Sequence, residues 1–232
     1  MKLTDYIAKQ LKTNGITSIF GLQGGAVVHL FDSFEKNGAK VIYTHHEQTA
    51  ALAATSNSKV TGNIGCAIVT TGPGSTNALT GLLAAWQDSI PVIFISGQVR
   101  DTHMSYGKKV RQVGTQEANI IDIVKPITKK VFLIKKPNYI INILNQAIRE
   151  CISGRPGPVW IDIPLNFQWE NINVSKKHFY KINKKNSLTS SSKLSKFFNH
   201  LQLCKNPLFV LGYGIRLSKS ENEVSQFIKK NN

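Results

Sequence analysis

Cysteine is scarce in this sequence: Cys66, Cys151 and Cys204 stand far apart and none belongs to a CxxC pair. That spacing excludes a disulfide scaffold or a cysteine-rich metal site and leaves reduced, buried thiols as the expectation. Long apolar runs are also missing. No stretch of the 232 residues approaches the roughly 20 apolar residues that a membrane-spanning helix needs. The opening Met1-Lys2-Leu3-Thr4-Asp5-Tyr6 has no signal-peptide core, so a cytoplasmic protein without membrane contact is expected. Acidic residues are few, 13 against 29 Lys and Arg, giving a net charge of +16. Such an excess can mark nucleic-acid binding. Here the cations are mostly lysines spread along the chain, and the densest stretch, 176–196, is interleaved with Asn, Ser and Thr and reads as a solvated linker. No aromatic-interleaved basic helix accompanies it, so no nucleic-acid partner is expected.

The phosphate-binding signatures GxGxxG and GxxxxGK[ST] are absent too, which argues against a Rossmann dehydrogenase or a P-loop enzyme. A flavodoxin-like nucleotide binder is a minor alternative. What is present is an alternation of helical periods with short β-branched runs. Leu3, Ile7 and Leu11 recur every four residues behind Thr4, a candidate cap, and Gly15 ends that helix. Strands are predicted over 16–20, 40–44, 64–70, 91–96, 130–134 and 159–163, and helices over 26–36, 47–59, 75–86, 117–124 and 138–151. This order predicts an α/β fold, a mostly parallel sheet with helices on both faces. It fills a first domain over 1–168. Residues 169–191 read as a linker, and 192–232 as the beginning of a second, incomplete α/β domain: a helix, a strand over 207–211, the turn Gly212-Tyr213-Gly214 and a helix to Lys230. A single βα unit cannot bury its own apolar faces, so the chain is expected to stop in mid-fold.

Glycine turns follow several predicted strands, at 21–25, 72–74 and 97, where open parallel sheets bind ligands. By themselves they are weak, because a βα turn often needs glycine for structural reasons. Thr44-His45-His46-Glu47-Gln48 is more specific, ending a strand and opening an Ala-rich helix. Taken alone, Glu47 could simply favour the helix dipole. The two histidines could be polar residues at a sheet edge or a metal pair lacking a third ligand, and His29 is a lone helix histidine that reads as structural.

Taken in order, these segments resemble the pyrimidine-binding domain of thiamin-diphosphate enzymes, most closely the acetolactate synthase branch. His46-Glu47-Gln48 is similar to its glutamate segment, and Thr70-Thr71-Gly72-Pro73-Gly74-Ser75-Thr76-Asn77 to its TSGPGATN turn. Asp88-Ser89-Ile90-Pro91 and Gly97-Gln98-Val99 match DSIP and GQV. Gln116-Glu117 falls at FQE and Lys125-Pro126-Ile127-Thr128-Lys129 at an RPVTK-like stretch. Gly154-Arg155-Pro156-Gly157-Pro158-Val159 and Asp162-Ile163-Pro164 match GRPGPV and DIP. The resemblance covers about 3–165, and 192–232 resembles the start of the family's central domain. It departs at Ser56-Asn57-Ser58-Lys59, where the family has a GYAR-like segment, at Gln23 in place of Pro and at Thr115 in place of Phe.

The resemblance implies an enzyme that decarboxylates a 2-oxo acid and ligates the product, as acetolactate synthase converts two pyruvates to acetolactate and CO₂. In that family a glutamate at the position of Glu47 hydrogen-bonds to the cofactor's aminopyrimidine and thereby promotes proton loss from the thiazolium C2. By the same resemblance Gly24, Gly25, Thr71, Gly72, Pro73, Gly74 and Asn77 lie at the thiamin diphosphate, while Gln116 and, less directly, Gln98 face the substrate. Mg²⁺ ligands are expected outside these residues, in a GDG…N segment that this sequence does not contain. FAD is a possible further cofactor, and a homodimer or tetramer is implied. Related carboligases or lyases, including those of surface-polysaccharide pathways, share the pattern. A short non-catalytic partner-binding protein is the remaining alternative. The chain alone is expected to be inactive.

Overall fold

The computed structural model describes residues 1–182 and 191–231. Two compact units divide the chain, Met1–Lys185 and Asn186–Asn232. The first holds six parallel strands: β1 (Ser18–Gly21), β2 (Lys40–Tyr43), β3 (Gly65–Val69), β4 (Val92–Gln98), β5 (Lys130–Leu133) and β6 (Val159–Pro164). They lie in the order β2-β1-β3-β4-β6-β5, so the α/β reading with a parallel sheet holds. β3, β4 and β6 are buried at every position. Their near-continuous apolar runs follow from burial on both faces, which removes any polar alternation.

Among the described residues eight α-helices accompany the sheet: α1 (Leu3–Thr13), α2 (Val28–Lys36), α3 (Glu47–Thr61), α4 (Pro73–Thr76), α5 (Leu79–Gln87), α6 (Ile120–Val124), α7 (Ile140–Ile152) and α8 (Leu165–Gln168). On one face Leu3, Ile7 and Leu11 of α1, Leu30, Phe31 and Phe34 of α2 and Leu144 and Ile148 of α7 pack with Ile93, Ile95, Ile161 and Ile163. Each such side chain contributes about 1.5–3 kcal/mol when fully buried. On the other face α3 meets α5 through small residues. A Cβ added at Gly81 would come within 2.5 Å of the Ala51 Cβ, so this helix pair can approach only because both surfaces are nearly bare.

Several local expectations shift. Thr4 does not cap α1: Lys2 sits at the cap position, and Thr4 is buried, sharing a hydrogen bond with Ser33 Oγ (2.7 Å) and donating to the Gln168 carbonyl (3.1 Å). A long-range partnership within the core outweighs the local one. The helix expected over 75–86 is two, α4 and α5, separated at Asn77 and Ala78. Residues 169–182, expected as linker, lie against the first unit: Ile172 joins its core, Leu3 N donates to Glu170 O, and Tyr6 Oη donates to His178 O. Their polar composition concealed the apolar residues Ile172, Val174, Phe179 and Ile182 that fasten them. The rest of the expected linker, 183–190, lies outside the described residues.

The second unit contains α9 (Ser191–Leu203), α10 (Gly214–Ser218) and α11 (Glu221–Asn231). The strand expected at 207–211 does not form, and Leu208 and Val210 are each 88% exposed. Among the described residues of the unit no strand is available to pair with it, and an unpaired strand has no ladder to hold it. Cys66 and Cys151 are buried, and burial pushes the Cys66 thiol up to about 12; Cys204, against expectation, is exposed.

Candidate functional site

The strand order reverses between β1 and β3, and there the loop after β1 (22–27) meets the turn after β3 (70–74). Open parallel sheets bind ligands at the carboxyl ends of strands at such a reversal. Thr70 joins the two loops. The Ala26 amide donates to Thr70 Oγ1 (3.3 Å), and Ser75 Oγ donates to the Thr70 carbonyl (2.6 Å). A Cβ at Gly24 or at Gly74 would each come within 2.6 Å of the Thr70 side chain. Both glycines therefore let backbone close in on one threonine.

Glu47 opens α3 beside this junction. His46 supplies the cap, its Nδ1 accepting from Gln48 N (3.1 Å), and Gly62 ends the helix. A helix cap is thus the structural role His46 takes. Glu47 is 8% exposed. Its Oε2 accepts from Asn77 Nδ2 (3.0 Å), while Oε1 faces Gly74, whose added Cβ would come within 3.2 Å. One oxygen is thus anchored and the other lies in a cradle that a side chain at 74 would fill. Gly25 has nothing within 4 Å of an added Cβ and faces open space.

The turn itself is held from the far side. Gly72 has φ +63°, and a Cβ there would come within 2.0 Å of the Gln116 carbonyl oxygen. Gln116, exposed, is also left-handed at φ 58°, a backbone state that non-glycine residues adopt at a cost of about 1–3 kcal/mol. Thr71 Oγ1 lies 2.8 Å from Gln98 Oε1 and donates to it.

A family model for the thiamine pyrophosphate enzyme N-terminal TPP binding domain matches residues 1–123, just over half of the chain. The chain belongs to the thiamine pyrophosphate enzyme family. Within that family it is acetolactate synthase-like. The acetolactate synthase large subunit of Haemophilus influenzae is 31% identical over 98% of this chain and 40% of its own length. That of Buchnera aphidicola from Acyrthosiphon pisum is 35% identical over the same shares. The probable acetolactate synthase large subunit of Methanocaldococcus jannaschii is 38% identical over 76% of this chain and 29% of its own. The chain spans about 40% of the length of the first two relatives.

Within this TPP-binding domain Glu47, Gly24, Gly72, Gly74, Thr71 and Asn77 come together, and Pro73 is exposed on the same turn. Gln98 does not reach toward a substrate. It is 1% exposed, its Oε1 accepts from Thr71 Oγ1 and Val99 N, and its Nε2 donates to Ala118 O and Asp162 Oδ2. All of its hydrogen-bonding capacity is spent inside the protein, because β4 continues two residues beyond its expected end and carries Gln98 inward. His29, on α2, stacks edge-on against Trp169 at 5.0 Å, in keeping with its structural reading.

Sequence reasoning passed over two carboxylates. Asp162 was quoted only as part of a motif, yet it is fully buried beneath Gln98. Glu117 organises the loop after β4: it accepts from the Ser105 amide and hydroxyl and from Val113 N (2.9 Å). Burial pushes the Glu117 carboxyl up, but these hydrogen bonds outweigh it and hold it below its ordinary value. A lowered folded-state pKa contributes stability that is full above the unfolded value near 4.3 and fades as pH falls through the folded value. The stability lost in Glu117→Gln is therefore expected to be constant above about pH 5 and to shrink on further acidification. Urea unfolding of both forms at stepped pH checks this; a difference that grows in acid would contradict it.

Proposed function

We propose that this chain is the pyrimidine-binding part of a thiamin-diphosphate-dependent carboligase that joins two 2-oxo acid molecules with loss of CO₂, as in two pyruvates giving acetolactate. The observation carrying this reading is the Glu47 carboxyl, anchored by Asn77 through one oxygen and presenting the other to the Gly74 cradle at the sheet's reversal point. A flat aminopyrimidine fits a cradle bounded by glycine backbone, with Gly24, Gly25, Thr71, Gly72, Pro73 and Gly74 around it and Gln116 on the substrate side. When bound, thiamin diphosphate supplies a carbon acid that becomes a nucleophile and then an electron sink. Glu47 holds or passes a proton at Oε1, Asn77 fixes the rotamer in which it does so, and Thr70 keeps the two loops closed on it. Mg²⁺ and FAD would be held by parts of the protein outside the described residues. A homodimer or tetramer in the cytoplasm completes the reading.

The test is to incubate the complete gene product with pyruvate, with and without thiamin diphosphate and Mg²⁺, and to identify the products. Acetolactate and CO₂ that require thiamin diphosphate are expected, and the isolated 232-residue chain should release neither. Turnover of pyruvate without the cofactor, or a different product, would overturn the carboligase assignment.

A further inference from the structure

We propose that Asp162 is a positioning residue for the turn that lies against Glu47, acting through Gln98 and Thr71. This rests on the reading of that turn as cofactor-facing. The connections are continuous. Trp160 Nε1 donates to Ser96 Oγ (2.8 Å), and Ser96 Oγ donates to Asp162 Oδ1 (2.5 Å). Gln98 Nε2 donates to Asp162 Oδ2 (3.0 Å), and Gln98 Oε1 accepts from Thr71 Oγ1 (2.8 Å). Thr71 adjoins Gly72, which is pressed on Gln116, and the same turn continues through Pro73 to Gly74, which faces Glu47. The relay thus ties the ends of β6, β4 and β3 to the site.

Its direction is fixed. The Val99 amide can only donate, and it donates to Gln98 Oε1 (2.9 Å), so the amide nitrogen of Gln98 must face Asp162. Asp162 then receives two donors, the arrangement an ionised carboxylate requires. Burial nevertheless pushes its carboxyl up to about 7, against the opposing pull of the Ser96 and Gln98 hydrogen bonds. In its neutral form the acid must itself donate, which re-aims the Ser96 hydroxyl and converts the Gln98 bond from charge-assisted to ordinary. Weakening one link of a polarised chain weakens the next, so Thr71 feels the change. The nearby titratable groups are Tyr106 and Glu117 in the loop after β4 and Asp122 in α6; burial above all, and then the charges of Asp162, Glu117 and Asp122, raise the Tyr106 hydroxyl. α5 contributes none, α3 brings Glu47 and Lys59, and β5 places Leu133 opposite Asp162 with Lys130 at its start.

Proton–nitrogen correlation spectra of the 232-residue chain, taken across about pH 5 to 9, test the relay. The Trp160 indole N–H, assigned by its loss in Trp160→Phe, and the Thr71 and Gly72 amides are expected to shift together with one midpoint near 7. Asp162→Asn should abolish all three titrations. Gln98→Met should leave Trp160 titrating while Thr71 and Gly72 stop, and it carries the test if Asp162→Asn does not fold. A Trp160 signal that never titrates, or a Thr71–Gly72 pair indifferent to it in the unaltered chain, would overturn the proposal. No cofactor is needed for these spectra, so their failure leaves the carboligase reading standing, and absent turnover in the complete protein leaves the relay standing.

Discussion

Replacing Glu47 by Gln in the complete protein is expected to lower turnover by about 100- to 10,000-fold, the range for losing a positioned proton-transfer group. The two side chains are nearly isosteric. The Gln amide oxygen can still accept from Asn77 Nδ2, so the anchored side of the contact survives. On the other side an NH₂ would stand where Oε1 now faces Gly74, and an amide can neither release nor take up a proton there. The cost to folding is small, below about 1 kcal/mol, because only a charge in the first turn of α3 is lost. Steady-state rates and urea unfolding of the same preparation separate the two effects. Undiminished turnover in a folded variant would remove Glu47 from the reaction.

The largest loss of stability is expected from Gly97→Ala. A Cβ at that position would come within 1.8 Å of the Ala26 carbonyl oxygen and 2.8 Å of Val27 Cγ1. Neither side can yield easily. Gly97 lies in β4, clamped between β3 and β6, with its own position paired to Ile163. Ala26 is held in turn by Gln168, whose Nε2 donates to the same carbonyl at 2.6 Å. Overpacking that forces backbone to move costs about 1–3 kcal/mol and occasionally more, and a contact this close lies at the upper end. The relief would come from pushing the 22–27 loop outward, which carries Gly24 away from Thr70. Gly25→Ala, between Gly24 and Ala26 in that loop and open to space, should change stability by no more than about 0.5 kcal/mol. Urea midpoints of the two variants should differ accordingly; equal midpoints would mean that the close approach at Gly97 is readily relaxed.

Both expectations draw on features of different legibility. The strand, acid and Ala-rich helix around Glu47 are visible in the sequence, but only the resemblance to thiamin-diphosphate enzymes singles Glu47 out, since alone it could simply favour the helix dipole. Asn77 lay within a quoted turn, but nothing in the order of residues says that its amide finds a carboxyl 30 positions earlier. By resemblance Gln98 is the weaker substrate-facing candidate, in the loop expected after the strand over 91–96. Two more residues of strand turn it into the core, where four hydrogen bonds occupy it.

The sequence by itself determined the alternation of strands and helices, the buried character of β3 and β4, and the glycines at the strand ends, because these follow from local hydrophobic period and backbone freedom. The start of α3 at Glu47 belongs with them. Only the tertiary structure decided that the 22–27 and 70–74 loops close on Thr70, that Gly97 bears directly on Ala26, and that Asp162 is buried at the end of a chain of hydrogen bonds reaching Thr71. It also fastened 169–182 to the first unit and left 207–211 without a strand. Each of these depends on partners tens of residues away, or on a pairing strand not found among the described residues. Such partners leave no periodic trace in a sequence, and the free energy of a hydrogen bond or a close contact exists only once the chain has brought both sides together.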